Sequence, residues 1–234
     1  EQGRLQARLG RNSPRTSRAA WSIWGDRLAS GREATVHLWL QTGEELAGLT
    51  GHESQLTTVA WSGSGDRFAS GDRAGTVRVW SWENWKELAC LRWHRGAVSS
   101  LAWSGSDDLL ASGDEDGTIR IWLVTRGKKL SQFDDHDGSV CSLSWSDLGS
   151  RLASGGADGL VRVWVQTNTA VGVFWSAPRW ERVAELPGHE GTVWAVTWSR
   201  SGERLASGGS DGTLRFWSMD LSRELRCLRA PGGA

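Results

Sequence analysis

"LASGGADGLVRVW" (residues 152–164) is written into this chain twice more almost unchanged, as "LASGDEDGTIRIW" (110–122) and "LASGGSDGTLRFW" (205–217). Two looser copies, "FASGDRAGTVRVW" (68–80) and "LASGREATVHLW" (28–39), precede them. The closing tryptophans are Trp39, Trp80, Trp122, Trp164 and Trp217, at intervals of 41, 42, 42 and 53 residues. A fixed interval of this size is the signature of a repeat architecture, which sets the fold before any single residue is interpreted. A second tryptophan keeps the same period at Trp21, Trp61, Trp103, Trp145 and Trp198, so ten of the 17 tryptophans are one pair per repeat, expected in the core.

Within a unit the elements are short. In the second, "LTTVAWS", "DRFASG", "TVRVW" and "KELACL" are apolar or alternating runs, separated by the turns "SGSG" and "DRAG". Such runs between Gly, Asp and Ser clusters predict four antiparallel strands, and no helical stripe competes. A four-stranded sheet repeated every 42 residues or so cannot bury both faces alone. It must stack on copies of itself, and radial stacking gives an all-β propeller.

These features resemble the WD-repeat family of β-propellers. The resemblance rests on Gly51-His52 and Gly188-His189 before the first strand, the "AWS" at that strand's end, the "LASG" strand, the "DGT" turn and the closing Trp. The aspartate that follows the closing Trp in the family is absent: Leu40, Ser81, Leu123, Val165 and Ser218 stand there. The resemblance implies one domain over 4–230, with units of about 4–43, 44–85, 86–127, 128–181 and 182–221 and a final outer strand at 223–229. It also implies that each blade's outer strand comes from the start of the next unit. Six such segments accompany five inner triplets, so the one at 4–10 is a spare. Five blades are few for the family, whose rings usually have about seven, within the propeller range of about four to eight. The expectation is therefore a small closed ring or part of a larger array. The chain opens without Met, which adds the expectation of a longer parent protein.

Each later unit carries a polar set: His94, Ser112, Asp116 and Trp122; His136, Ser154, Asp158 and Trp164; His189, Ser207, Asp211 and Trp217. On its own, Ser–His–Asp suggests a nucleophile triad. A catalytic site occurs once, however, and this set recurs with 18 residues between His and Ser each time. The resemblance implies a structural chain from indole to Ser to imidazole to Asp, which satisfies polar groups trapped between blades. In unit two Ala74 replaces the Asp beside His52 and Ser70, and in unit one Asn12 takes the His slot. Those two blades are therefore expected to be less firmly pinned.

Composition narrows the function. Lys plus Arg equals Asp plus Glu at 27 each, so a broad nucleic-acid grip is not expected. No apolar run reaches the length of about 18 residues that would mark a membrane span. Cys90, Cys141 and Cys227 are too scattered for a disulfide framework or a zinc site and fit free thiols in the cytoplasm. No cofactor, metal or catalytic residue is expected. The resemblance implies a non-catalytic scaffold for protein–protein interaction; a small-ligand or glycan-binding propeller using the surplus tryptophans is the alternative.

Three surfaces are candidates for a partner. Asp114, Glu115, Asp134, Asp135 and Asp137 form an acidic loop set around His136, suited to a basic peptide or domain. Trp93, beside His94, and Trp194, five residues after His189, could serve as aromatic anchors or pack under loops. The long interval before Trp217 marks an insertion within 165–183. Phe174, Trp175 and Trp180 make it apolar, either as a docking tongue or as a segment folded back on the rim.

Overall fold

A computed structural model describes residues 16–147, 149–167, 179–220 and 223–229, with the backbone alone for 16–18. The spare segment at 4–10, Asn12, Phe174 and Trp175 lie outside the described residues. Five four-stranded antiparallel sheets follow one another along the chain, the blade unit of a β-propeller. Sheet one comprises β1 (Thr16–Trp21), β2 (Arg27–Arg32), β3 (Thr35–Leu40) and β4 (Glu45–Leu49). Sheet two comprises β5 (Leu56–Trp61), β6 (Arg67–Asp72), β7 (Thr76–Ser81) and β8 (Glu87–Arg92). Sheet three comprises β9 (Val98–Trp103), β10 (Leu109–Asp114), β11 (Ile119–Leu123) and β12 (Lys128–Phe133). Sheet four holds β13 (Val140–Trp145), β14 (Arg151–Gly156), β15 (Val161–Thr167) and β16 (Arg179–Leu186). Sheet five holds β17 (Val193–Trp198), β18 (Arg204–Gly209), β19 (Thr213–Ser218) and β20 (Arg223–Arg229). Neighbouring strands in sequence are neighbours in each sheet.

Local chemistry explains the pattern. The third strands β7, β11 and β15 are buried on both faces, most fully β7, where all six residues are buried. The outer strand β8 alternates and is mostly exposed. Between second and third strands the tight turns place Gly75, Gly117, Gly159 and Gly212 at φ of 73–85°, a left-handed conformation that a Cβ disfavours. Sheet one makes this turn one residue shorter, and Glu33 takes the left-handed position at φ 52°. Two bulges repeat. One shifts the outer-strand register beside each closing Trp, as at Val79/Trp80 and Phe216/Trp217. The other lies near the start of the first strand, where Thr57, Cys141 and Trp194 are the extra residues. A bulge re-aims the side chain it carries.

The chain divides into two compact units, Glu1–Val98 and Ser99–Ala234. In each the apolar core lies between sheets, not within one. In the first unit Ala29, Val36, Leu38 and Leu49 of sheet one pack against Leu56, Val59, Phe68 and Trp80 of sheet two. In the second unit Ala111, Ile119 and Ile121 meet Val140, Leu143, Trp145, Leu152 and Trp164. Likewise Ala153, Val161, Val163 and Leu186 meet Val193, Val196, Trp198, Leu205 and Trp217. Each fully buried aliphatic side chain contributes about 1.5–3 kcal/mol. First-strand tryptophans add a polar tie. Trp61 donates its indole N–H to the Ala20 carbonyl at 2.8 Å, Trp145 to Ala102 at 3.0 Å and Trp198 to Ser144 at 3.1 Å. Trp21 departs from the expected core role: it is 55% exposed.

The insertion lengthens the β15–β16 hairpin by the pairs Gln166↔Trp180 and Thr167↔Arg179. Trp180 belongs to the core and not to a docking tongue: it is 8% exposed and meets Trp145 edge-on at 5.3 Å.

Glycines in the second strands set how closely sheets approach. A Cβ on Gly113 would lie 2.6 Å from a Val140 methyl, and one on Gly155 would lie 2.6 Å from a Val193 methyl, whereas Gly208 in sheet five faces open space. Gly113→Ala and Gly155→Ala are therefore expected to destabilise by about 1–3 kcal/mol through overpacking. Gly208→Ala is expected to be neutral or slightly stabilising. Urea titration of the three variants checks the contrast, and equal costs would contradict it.

Candidate functional site

In sheets two, four and five the polar set lies at one end of the sheet, where the loop before the first strand meets the turn between second and third strands. In sheet five Trp217 donates to Ser207 Oγ at 2.9 Å, His189 Nε2 lies 2.8 Å from the same oxygen, and His189 Nδ1 lies 3.1 Å from Asp211. Sheet two repeats this with Trp80 to Ser70 at 2.8 Å, His52 Nε2 to Ser70 at 2.7 Å and His52 Nδ1 to Asp72 at 2.6 Å. One tautomer satisfies all four groups: indole N–H to Ser oxygen, Ser O–H to Nε2, and Nδ1–H to carboxylate. Trp39 donates to Ser30 at 2.9 Å and Trp122 to Ser112 at 2.8 Å.

The aspartate comes from two different positions. Sheet two does not lack it: Asp72, fully buried two residues before Ala74, supplies the carboxylate to His52. In sheet three the buried acid is Asp114, at 1% exposure, while Asp116, the expected member, is exposed. Asp114 accepts the amides of Asp116 and Thr118 at 3.1 and 2.8 Å and lies 3.6 Å from Arg120. His94 is itself buried at 6% exposure. In sheets four and five Gly156 and Gly209 hold that earlier position. A Cβ there would lie 2.2 Å from His136 Nδ1 or 2.4 Å from His189 Nδ1. Glycine makes room for a carboxylate arriving from two residues later, Asp158 or Asp211.

These carboxylates also hold loop backbone. Asp158 accepts the amides of Leu160 and Asp137 at 3.1 and 3.2 Å, and Asp211 those of Thr213 and Glu190 at 3.0 and 3.1 Å. Burial by itself would raise the Asp211 pKa; the Thr213 hydroxyl, both amides and His189 outweigh it and hold the carboxyl far below the usual range. Asp158 is lowered too, since Arg162 and His136 outweigh its burial. Burial lowers His136 despite its carboxylate partner.

A basic residue on each third strand completes the frame. His37 meets Glu45 at 2.6 Å, Arg162 meets Glu185 at 3.0 Å, and Arg78 and Arg215 pair with Glu87 and Glu224. Sheet three has Lys129 opposite Trp122, and Arg120 turns to Asp114 instead. Sheet four differs at its closing residue. His136 Nε2 lies 2.5 Å from Ser154, but the Trp164 indole N–H has no partner among the described residues. Trp164 stacks on Phe133 at 5.2 Å. Ser70, Ser154 and Ser207 are at most 1% exposed, and their hydroxyls lie within hydrogen-bonding distance of imidazoles inside the sheets.

The other candidate residues fall into separate places. Glu115, Asp134, Asp135 and Asp137 are exposed, and Asp135 lies 3.5 Å from Arg182. Asp114 leaves the acidic surface for the interior, and the exposed Asp116 stands in its place. Trp194 is 62% exposed in the second unit and Trp93 60% exposed in the first. Of the surplus tryptophans, Trp82 packs beside Trp61 at 5.4 Å with Arg27 over its ring at 4.8 Å. Exposed Trp24 and Ile23, at 75% and 65%, were not among the candidate partner-binding residues, although Trp24 is one of the surplus tryptophans. They stand where the other repeats carry Gly-Ser, Asp-Leu or Arg-Ser, and that substitution was the available signal. Among the described residues no cluster of ligands could hold a metal ion, and no helix is long and apolar enough to cross a membrane.

Repeated four-stranded blades, four of the five closed by an indole-to-serine bond, define a repeat protein of the β-propeller class. The family described as "WD domain, G-beta repeat" matches residues 43–81, 85–122, 127–165 and 180–218, well over half of the chain, and the protein belongs to that family. The first sheet lies almost wholly outside these stretches, in keeping with its shortened turn. Single stretches resemble known proteins. Protein SEH1 of Arabidopsis thaliana is 46% identical over 44 residues, 19% of this chain and 14% of that protein. Nucleoporin SEH1 of Saccharomyces cerevisiae is 40% identical over 48 residues, 20% of this chain and 14% of that protein. The ribosome biogenesis protein ERB1 of Yarrowia lipolytica is 56% identical over 41 residues, 17% of this chain and 5% of that protein. Each match thus spans about one repeat and a small part of the relative.

Two measurements check this account of the network. Trp164→Phe is expected to cost about 1 kcal/mol less than Trp122→Phe or Trp217→Phe, because only the latter two remove a hydrogen bond. Matched urea titrations read the difference, and equal costs would contradict the unpartnered Trp164. The second concerns acid. His136 has a folded pKa below its unfolded value, so the unfolded chain binds the extra proton first as pH falls. Its contribution is complete above the unfolded value of about 6.5 and declines below it. Asp158 and Asp211 add a further loss only as pH falls through the unfolded carboxylate range near 4. The melting temperature is expected to fall from pH 7.5 to 5.5, and His136→Gln to remove part of that fall. An unchanged slope in the variant would refute the assignment.

Proposed function

We propose that this protein is a non-catalytic scaffold module that docks a basic peptide or domain on the acidic loops of its second unit. The observation that carries it is the cluster of exposed carboxylates at one end of sheets three and four. Glu115 and Asp116 lie in the β10–β11 turn, and Asp134, Asp135 and Asp137 in the β12–β13 loop. The buried His–Asp clamp of sheet four anchors the second of these, since Asp158 binds the Asp137 amide. A pre-organised loop presents its charges without further ordering cost. At zero net charge the local field still steers a cationic partner. Trp194, exposed on a first-strand bulge in the same unit, supplies an aromatic anchor of the kind enriched at interface hot spots. The relatives are a nucleoporin and a ribosome biogenesis protein, and such different roles support a general binding platform more than one chemistry. Free cysteines support a reducing compartment, and we place the protein in the cytoplasm.

The test is binding kinetics against a Lys/Arg-rich peptide library at low and high salt. Reversal of Asp134 and Asp137 to Lys is expected to slow association by about tenfold at low salt, with a smaller change in release. Raising the salt should shrink the difference. Binding that ignores both the reversal and the salt would refute the proposal.

A further inference from the structure

Three tryptophans outside the two packing series stand at one end of the first unit, the end away from the His52–Asp72 pair. Trp24 lies in the β1–β2 turn, and Trp82 and Trp85 lie in the β7–β8 turn. Neither Trp24 nor Trp85 is what its turn prefers. Other repeats place Ser64, Ser106 and Ser201 where Trp24 stands, and these hydroxyls reach Ser62, Ser104 and Ser199 at 3.2–3.3 Å. Trp85 takes a left-handed position at φ 58°, where the corresponding turns of sheets one and three have Gly43 and Gly127. That conformation is strained for a bulky residue, and such strain concentrates at functional sites. At the Trp82 position the other repeats carry Gln41, Val124, Gln166 and Met219, none of them aromatic.

A groove of about 720 Å³ runs between these turns, lined by Trp82, Leu88, Arg27, Arg67, Asp66 and Glu83. Its floor is rigid, because Trp82 is held between Trp61 and the Arg27 guanidinium. Trp24 forms one wall: its ring lies over Gly65, 3.7 Å from where a Cβ would stand. Exposed Trp85 and Leu88 flank the other side. Among the described residues the indole N–H groups of Trp24, Trp82 and Trp85 have no hydrogen-bond acceptor, and Asp66 and Glu83 have no ion-pair partner. Arg27 is matched by Asp26 at 3.2 Å and reaches the Gly65 carbonyl. The rim therefore sets two carboxylates against Arg67 alone.

We propose that this groove binds a proline-rich segment of a partner protein, in the polyproline II conformation, with an arginine or lysine beside the proline run. Indole faces offer flat apolar surface, and indole nitrogens only donate. A proline run is the matching ligand: its rings are flat and apolar, it brings no backbone N–H, and every carbonyl is free to accept. Its conformation is set before binding, so little ordering cost is added. Asp66 and Glu83 call for a basic residue in the same segment. The groove lies wholly in the first unit, and the inference is independent of the acidic-loop proposal.

The probe is the peptide (Pro-Pro-Leu)3-Arg, titrated into the nitrogen-15-labelled chain while the indole N–H resonances are followed. The resonances lost in Trp24→Ser and in Trp85→Gly assign the two flanking tryptophans. Both are expected to move with this peptide and to stay in place when every proline in it is replaced by alanine. The two variants restore the residue types that other repeats carry, so they are expected to melt no lower than the parent chain. Each should nevertheless weaken binding by about tenfold or more. Glu83→Lys should weaken the arginine-ended peptide and leave a glutamate-ended one no weaker, while Asp134→Lys in the second unit should change neither. Equal binding of the alanine peptide, or full binding retained by both tryptophan variants, would overturn the proposal. So would self-association dispersed by Trp24→Ser with no response to the peptide, which would make a second copy of the chain the occupant.

Discussion

A four-stranded sheet with two apolar faces cannot be stable alone, and the covering of one sheet's face by the next is the constraint on which this molecule depends. The cores consist of these junctions: the outgoing residues Ala153, Val161, Val163 and Leu186 have no interior of their own until Val193, Val196 and Trp198 arrive. Stability in such an architecture is close to a sum of nearest-neighbour terms. That is why residues of one type meet different fates by position. Trp61, Trp145 and Trp198 each have a carbonyl from the preceding sheet, while Trp21, at the start of the described sheets, is exposed.

Close sheet packing creates a second requirement. Polar groups caught at the ends of the sheets must be paired, because an unpaired one costs about 1–3 kcal/mol. The serine, imidazole and carboxylate chains meet that need and tie the loops to the strands. The network also fixes the surface. Asp158 reaches out of it to the Asp137 amide and Asp211 to the Glu190 amide, so the loops that face solvent are held by groups that do not. Binding chemistry on those loops can vary while the clamp beneath them repeats.

The carboxylate has two solutions within one chain. Asp72 fills the space over His52 directly, whereas Gly156 and Gly209 vacate it for Asp158 and Asp211. The pairing of Asp with Ala at 72/74 and of Gly with Asp at 156/158 and 209/211 is compensation inside the repeat. At 114/116 both positions carry Asp, and only burial distinguishes the structural acid from the solvated one.

Period, strand order within a repeat and the turns were all legible in the sequence, because each rests on local chemistry: alternation, glycine at left-handed positions, and a spacing repeated until chance is excluded. The origin of each outer strand from the next unit was implied by the resemblance to the WD-repeat family. Coverage was not legible, because it depends on which surface lies opposite in space. Asp114 and Asp116 are equivalent as letters, Trp180 looked like part of an apolar loop until it met Trp145 edge-on, and Trp164 keeps the closing position while losing its hydrogen-bond partner. The sequence by itself determined the blade and its count of strands. Only the tertiary structure decided which acid is buried and which tryptophans are core, since burial is a property of neighbours and not of the residue.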